Sequence, residues 1–302
     1  MRICSFLPSA TEILFALGAG NCVVGVTHEC DFPPEAATKA VVVRARLPKG
    51  LSSGEIDRRV TESMARGESL YEVDAAALAR LRPDLIITQD LCRVCAASPG
   101  DLGHALTVLS SVPRTVTLNP RSLGEVWSDI RMLGGAIGRF QEAERLANEC
   151  RARVEAVERT VARASCRPRV LCLEWLDPPF IAGHWVPEMV VAAGGEDALG
   201  KAGEPGYRAD WPTVLGSRAE VIVVMPCGFN FKEAVQEYRS MSFPDGWKEL
   251  PATRNRRVYA VDATSYFSRS GPRLAVGVEI LRAAIHPDGA VTAPPDALRR
   301  LG

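Results

Sequence analysis

Four of the nine cysteines in this chain of 302 residues follow predicted β-strands, where loops bring side chains together. Cys92 and Cys95 form a Cys-x-x-Cys pair, a spacing that lets both sulfurs converge on one metal ion. Cys30 and Cys227 would complete a set of four thiolates, which suits Zn²⁺ or an iron–sulfur cluster. In the other interpretation Cys92 and Cys95 pack beneath a loop without a metal, and the spacing alone leaves both open.

The remaining cysteines indicate no chemistry of their own. They fall on predicted strands or helices, or beside them, and a thiol in such a place is usually a small buried side chain. These residues are Cys4, Cys22, Cys150, Cys166 and Cys172. The placement of the cysteines is therefore more informative than their number.

Two of the four histidines lie in the same kind of loop. His28 stands beside Glu29 and Cys30 and is our first candidate for a functional imidazole, able to ligate a metal centre. His184, in a Gly-His-Trp sequence, is the second candidate. We expect the other two histidines to be structural or solvated.

Aromatic residues make up only 6% of the chain, yet several of them follow predicted strands. Flat apolar side chains suit a large planar ligand, and the alternative is that they pack between the two halves of the chain. Arg269 and Arg273 beside them could pair with a carboxylate or phosphate. The candidate ligand-binding residues are Pro8, Ser9, His28, Glu29, Glu174, Trp175, His184, Trp185, Phe229, Tyr266, Phe267 and Arg269.

Composition and charge exclude several classes of protein. A hydrophobic fraction of 47% excludes a disordered chain. The 36 Lys and Arg residues balance the 36 Asp and Glu residues. The net charge therefore predicts binding neither to nucleic acid nor to an anionic membrane surface. No apolar run approaches the ~18–20 residues of a membrane span. Because Pro8 and Glu12 interrupt the apolar N-terminus, we interpret it as a first strand, and we expect a cytoplasmic protein.

Short apolar runs alternate with helical patterns, which predicts an α/β fold with mostly parallel sheets. The predicted strands are Arg2–Leu7, Val23–Val26, Ala40–Val43, Leu85–Thr88, Thr115–Leu118, Arg169–Leu173, Val221–Val224 and Val258–Val261. The predicted helices include Thr11–Leu17, Glu55–Met64, Ala75–Leu81 with Asp74 as its N-cap, Leu123–Ile137 closed by Gly138, about 141–164, Pro187–Ala193, Glu233–Met241 and Arg273–Ile285. The segment from Pro287 onward is expected to fray.

The pattern restarts after Pro168 and predicts two similar lobes. We expect an N-terminal lobe over 1–120, a helical connection over 121–166 that contains one long backbone helix, and a C-terminal lobe over 167–302. In such lobes ligands gather beyond the carboxyl ends of the strands, where the residues above fall.

The residues also carry a family resemblance over nearly the whole chain. The segments Leu7–Glu12 and Leu81–Thr88 and the long helix resemble the vitamin B12- and siderophore-binding family of substrate-binding proteins. A branch generally labelled cobalamin-binding is especially similar, through the segments His28–Asp31, Cys92–Cys95, Glu174–Pro178, Gly183–Glu188 and Pro226–Phe229. The resemblance implies two Rossmann-like lobes held by a rigid helix, with the ligand between them.

Two hypotheses follow. The first is a cytoplasmic protein that binds a corrinoid such as cobalamin, or a related tetrapyrrole or metal complex. The second is a metalloprotein whose loop cysteines hold Zn²⁺ or an iron–sulfur cluster, with catalysis at an open metal position as an option. No Gly-rich phosphate-binding motif follows a strand and no nucleophile elbow is present, so the sequence favours binding over catalysis.

The expected partner is a small-molecule ligand, and we expect neither nucleic acid nor a stable membrane anchor. Secreted members of the resembled family carry export signals, whereas this sequence opens directly at its first predicted strand. On this ground we do not count a transporter among the expected partners.

Overall fold

The computed structural model describes residues 1–48, 50–90, 100, 103, 106, 107, 109 and 111–301. The chain divides into two compact units, and each is built from more than one stretch of sequence. The first unit contains residues 1–51, 55–120 and 127–147, and the second contains 52–54, 121–126 and 148–302. Among the described residues, no helix is long and apolar enough to cross a bilayer.

The first unit is built on a six-stranded sheet. The strand order is β4-β3-β2-β1-β5-β6, and all neighbours are parallel except the antiparallel pair of β3 and β4. The apolar runs place Phe6, Val42 and Ile86 in a core with no exposed surface. The strands are β1 (Ile3–Ser5), β2 (Val23–Thr27), β3 (Ala40–Ala45), β4 (Tyr71–Val73), β5 (Leu85–Gln89) and β6 (Arg114–Leu118).

Helices connect these strands, as the alternating pattern predicts. Asp74 is an N-cap, because its carboxylate accepts the Ala77 N–H at 2.8 Å. Gly138 has φ +73° at the end of its helix, which confirms the predicted stop. The helices are α1 (Pro8–Ala16), α2 (Ser53–Ala65), α3 (Ala75–Leu81), α4 (Leu123–Ile137) and α5 (Phe140–Val161). Both α4 and α5 contain residues of the two units.

The second unit has a seven-stranded mixed sheet, which contains more antiparallel pairing than we expected. The strand order is β10-β8-β7-β11-β12-β13, and β9 lies beside β7. Strands β7, β9, β11 and β12 are parallel, whereas β8, β10 and β13 pair in the antiparallel sense. The strands are β7 (Arg169–Leu176), β8 (Pro179–Ile181), β9 (Glu196–Asp197), β10 (Tyr207–Arg208), β11 (Val221–Val224), β12 (Val258–Val261) and β13 (Leu298–Leu301).

The helices of this unit pack on a core that includes Leu171, Ile222 and Ala260. Asn230 and Glu233 form a capping box, in which each side chain accepts the backbone N–H of the other residue. The helices are α6 (Val186–Ala192), α7 (Trp211–Gly216), α8 (Phe231–Ser240), α9 (Pro251–Arg254), α10 (Ala263–Tyr266) and α11 (Leu274–Ile285).

The expectation of a frayed C-terminal segment was wrong. Leu298–Leu301 forms β13, which pairs with Val258–Val261 residue by residue. Leu301 is only 5% exposed, so the segment contributes to the core. Four residues with two central arginines carry almost no strand pattern of their own, and the pairing comes from the open edge of β12.

Helix α11 is tied down near its end by a buried arginine. Arg282 is 2% exposed and donates to Thr160 Oγ1 at 3.0 Å and to the His286 carbonyl at 2.6 Å. Its Nη2 also pairs with Asp288 Oδ2 at 2.9 Å, and this hydrogen bond lowers the pKa of the Asp288 carboxyl to about 2. Since the pKa is lower in the folded state, the pair stabilises the fold above the ordinary carboxyl pKa, and that contribution is lost as the pH falls towards 2.

Replacing Arg282 by Met is expected to lower the free energy of unfolding by about 2 kcal/mol, because the hydrogen bonds of this buried guanidinium to Thr160 and to the His286 carbonyl are lost. Urea unfolding followed by circular dichroism measures the change. Arg159→Met, which removes an exposed arginine from the last turn of α5, is the matched control and should shift the value by less than about 0.5 kcal/mol. Equal effects of the two substitutions on the free energy of unfolding would contradict the stabilising role of Arg282.

Candidate functional site

The first unit places five predicted residues at the carboxyl ends of β1 and β2. Pro8 opens α1 directly after β1, and Ser9 is 3% exposed. His28, Glu29 and Cys30 form the turn after β2, and Cys30 Sγ lies 3.1 Å from Thr11 Oγ1 in the first turns of α1. This contact joins the two segments, which we call the polar corner.

His28 has one ring nitrogen whose hydrogen-bonding capacity is unused. Its Nε2 lies 4.0 Å from Glu29 Oε1, and its side chain is 20% exposed. Its Nδ1 is buried and has no hydrogen-bond partner within the described part of the chain. Because an unsatisfied buried nitrogen costs free energy, this imidazole suits a ligand that brings a polar atom or a metal.

Cys30 is buried between the hydroxyl groups of two threonines. Its thiol is 4% exposed and lies 3.1 Å from Thr11 Oγ1 and 3.4 Å from Thr27 Oγ1. Cys92 and Cys95 lie outside the described residues. Cys227 is half-buried in the second unit, where its backbone N–H donates to the Glu174 carbonyl at 3.1 Å. The described residues contain no group of three or more His, Cys, Asp or Glu that could hold a metal, so the four-thiolate site stays a prediction.

The other cysteines divide by burial. Cys4, Cys150 and Cys172 are buried as expected, and burial raises the pKa of the Cys4 and Cys150 thiols to about 12. Such thiols stay protonated and unreactive near neutral pH. Cys22 is half-buried, whereas Cys166 is exposed and is not the core thiol that we predicted.

The second unit brings two of the predicted aromatic residues into contact. Trp175 lies near the end of β7, and Phe229 follows β11 in the turn before α8. The ring centroids are 5.3 Å apart with an interplanar angle of 67°, an edge-to-face pair. Gly228 supplies the positive φ of +80° that this turn requires. Both residues are half-buried, so part of each stays exposed.

His184 and Trp185 occupy a tightly held loop after β8. The His184 N–H donates to the Glu204 carbonyl at 2.6 Å, and its carbonyl accepts the Gly203 N–H at 2.9 Å. Trp185 is 6% exposed, and its indole N–H donates to the Phe267 carbonyl at 2.8 Å. Backbone hydrogen bonds of His184 therefore hold the loop, and the indole hydrogen bond holds the Trp185 ring.

Backbone contacts connect these aromatic residues. Tyr266 ends α10 and Phe267 follows it, after the carboxyl end of β12. The Thr264 N–H of α10 donates to the Phe229 carbonyl at 3.2 Å, so α10 is joined to the turn after β11. We call these five residues the aromatic cluster: Trp175, Trp185, Phe229, Tyr266 and Phe267. The rings of Trp175 and Phe229 are in contact, whereas Trp185 and Phe267 are buried and joined by the indole hydrogen bond.

The predicted charged residues of this unit lie near the same segments. Arg273 stacks over the Tyr266 ring at 5.8 Å from its centroid. Arg269 is half-buried in the loop between α10 and α11. Glu174 lies on β7 next to Trp175, half-buried.

Sequence reasoning missed Ser53. This serine is 2% exposed, and its carbonyl accepts the indole N–H of Trp175 at 3.2 Å. No motif marks a serine at a helix start as a partner of a tryptophan 122 residues away. Only the three-dimensional arrangement of the chain reveals this contact.

Burial lowers the pKa of the His184 imidazole from 6.5, and the positive charge of Arg121 lowers it further. The unfolded chain therefore takes up this proton at a higher pH than the folded protein, so stability falls as the pH drops below about 6.5. We expect the melting temperature to decrease less over this pH range in His184→Asn, because this variant lacks the titrating imidazole. Asn is the chosen replacement because it tolerates the φ of +52° at this position. Thermal melts at stepped pH test this, and an unchanged slope would contradict it.

The comparisons with known proteins agree with this architecture. The family model for periplasmic binding proteins matches residues 3–264. The uncharacterised ABC transporter substrate-binding lipoprotein YvrC of Bacillus subtilis is 26% identical over 294 residues, which cover 95% of this chain and 80% of YvrC. A vitamin B12-binding protein of Vibrio cholerae is 24% identical over 283 residues, which cover 92% of this chain and 86% of that protein.

A solved structure is also similar over most of its length. The periplasmic haem-binding protein RhuT of Roseiflexus, in its apo form, matches with a TM-score of 0.69 and 26% identity over 95% of this chain and 98% of RhuT. RhuT is periplasmic and YvrC is a lipoprotein by name, which argues against the cytoplasmic location that we expected. Because the family model matches residues 3–264 of 302, the chain belongs to the periplasmic binding protein family.

Proposed function

We propose that this chain is the substrate-binding protein of an ABC transporter and that its ligand is a corrinoid such as cobalamin, or a related metal-containing tetrapyrrole. The aromatic cluster carries this proposal. Trp175 and Phe229 are half-buried and in edge-to-face contact, and aromatic side chains that are partly exposed suit a large flat ligand. Two of the relatives are named as vitamin B12-binding and haem-binding proteins, and both of these ligands are of the proposed class.

Polar groups beside the aromatic cluster support an amide-rich ligand. Thr264 Oγ1 is buried and has no hydrogen-bond partner among the described residues, and its backbone N–H contacts the Phe229 carbonyl. A corrin ring carries amide side chains around its edge, which donate and accept hydrogen bonds. A ligand amide that reached this buried oxygen would satisfy the hydroxyl, whereas a purely apolar ligand would not.

His28 of the polar corner is the residue of the first unit that we propose as a metal ligand. Its Nδ1 is buried, so on a side chain that is 20% exposed Nε2 is the nitrogen that would bind the metal. His28→Ala is therefore expected to abolish the visible spectral shift that diaquocobinamide, which has exchangeable axial ligands, undergoes on binding. A matched His286→Ala variant, in which the lost ring bonds the Gly194 carbonyl, should keep that shift.

Calorimetric titration with cyanocobalamin and with hemin tests the proposal as a whole. Saturable binding of cyanocobalamin at one site, with weaker binding of hemin, is the expected result. Stronger binding of hemin would replace the corrinoid by a haem, and failure to bind either compound would overturn the ligand class. Fractionation of the native host, with the protein recovered outside the cytoplasm, is the expected result for a transporter partner.

A further inference from the structure

A short segment far from β7 in sequence packs against the aromatic cluster. Residues Ser52–Gly54, which we call the strap, belong to the second unit although the rest of α2 belongs to the first. Ser53 is separated from Trp175 by 122 residues and from Glu237 of α8 by 184, and it contacts both. A serine that is only 2% exposed is therefore held in place from two sides.

The contacts of the strap are polar and specific. The Ser53 carbonyl accepts the N–H of the Trp175 indole at 3.2 Å. The Ser53 hydroxyl donates to Oε1 of the Glu237 carboxylate. A hydrogen bond to a carboxylate is stronger than one between neutral groups, so the carboxylate anchors the serine whose carbonyl holds the indole.

The next residue of the strap lies against the end of β7 as well. A Cβ atom built on Gly54 would stand 2.9 Å from Asp177 Oδ2, so only glycine fits here without displacing that carboxylate. The strap thus lies against the rest of the second unit at three positions, Trp175, Asp177 and Glu237. Trp175 is on β7 and Asp177 is in the turn that follows it.

We propose that the strap fixes the orientation of the Trp175 indole and thereby sets ligand affinity, with Ser53 and Glu237 as positioning residues. An indole contacted only at its ring edge can rotate about its side-chain torsions, whereas one that is also bonded at Nε1 has a single orientation. A ring that is already ordered loses less conformational freedom on binding. The part of this inference that concerns affinity rests on the proposed function, whereas the orientation of the indole does not.

The first experiment needs no ligand. Protein labelled with 5-fluorotryptophan gives a separate ¹⁹F resonance for each of the five tryptophans, and the Trp175→Phe variant identifies the relevant one. Ser53→Ala removes the anchoring hydroxyl, and Glu237→Gln weakens the acceptor without changing its size. Both variants should shift and broaden the Trp175 resonance and leave the other four in place, and the double variant should add nothing further.

Ser240→Ala is the matched control, because it removes a serine hydroxyl that donates to the backbone carbonyl of Glu237 at 2.9 Å and does not touch the strap. Its spectrum should equal that of the wild type. The inference is overturned if the Trp175 resonance is unchanged in Ser53→Ala and Glu237→Gln, or if all five resonances move together as they would after general destabilisation.

The second experiment measures affinity. Ser53→Ala should weaken cyanocobalamin binding by about tenfold, the effect of losing one charge-assisted hydrogen bond. Unchanged affinity beside an altered Trp175 resonance would overturn the link to affinity. If the wild type itself binds no cyanocobalamin, the proposed ligand fails, and the ligand-free spectra still decide whether the strap orients Trp175.

Discussion

Replacing Trp175 by Ala is expected to weaken cyanocobalamin binding by about a hundredfold, the largest effect that we expect from one binding-site residue. Truncation of a central aromatic side chain costs about 3 kcal/mol of binding free energy, which corresponds to that factor. Here the loss has two sources, since the ring itself and the edge-to-face support that it gives Phe229 both disappear. Calorimetric titration gives the ratio of dissociation constants directly.

Trp211→Ala is the matched control for this substitution. Trp211 is also half-buried in the second unit and makes an edge-to-face contact, with Phe243 at 5.9 Å, outside the aromatic cluster. Its loss should lower the melting temperature and leave cyanocobalamin affinity within about twofold of the wild type. If both substitutions weaken binding to the same degree, the effect of Trp175 is one of stability and the aromatic cluster is not the ligand contact.

Gly183→Ala is expected to cause the largest loss of stability, about 3 kcal/mol or more in the free energy of unfolding. A Cβ atom at this position would stand 2.3 Å from the Gly206 nitrogen and 2.5 Å from both the Glu204 oxygen and the Pro205 carbonyl carbon. All three are backbone atoms, so no side-chain rotation relieves the overlap. Movement of this backbone would also break the hydrogen bond between the His184 N–H and Glu204, and ligand affinity should fall with stability.

Gly216→Ala separates this steric effect from the general cost of losing a glycine. Gly216 ends α7, and no atom lies within 4 Å of a Cβ built there. Alanine is the better helix former, so stability should be unchanged or slightly higher. Urea unfolding of both variants provides the comparison, and a Gly183→Ala protein as stable as the wild type would show that residues 204–206 do not approach this glycine.

The parallel framework of the fold is predictable from the sequence, because its signals are local. Apolar runs such as Val221–Val224 and Val258–Val261 match the observed strands residue for residue, and the Asp74 cap and the Gly138 stop lie where side-chain chemistry requires them. Such positions need only the neighbouring residues to identify them.

Antiparallel additions and long-range contacts are not predictable in this way. Strands of two to four residues, such as Glu196–Asp197 and Leu298–Leu301, have too few positions to show a period, and they form because a neighbouring strand leaves an edge open. The residues of the candidate site divide in the same way, into those with a local sequence signal and those without one. Trp175 and Phe229 are candidates because they follow predicted strands, whereas Ser53 acts through its backbone carbonyl, which any residue possesses.

The division of the second unit into three stretches of sequence has a consequence for how this protein is made. A fragment that begins at Asn148 lacks residues 52–54 and 121–126 of that unit. It therefore lacks Ser53, which holds the Trp175 indole, and Leu123, whose N–H is accepted by Glu188 at 2.9 Å. On the ribosome these stretches emerge first, and Ser53 precedes Trp175 by 122 residues whereas Leu123 precedes Glu188 by 65. Loop closure over such separations delays the folding of this unit. Chimaeras that exchange it between relatives must transplant all three stretches together.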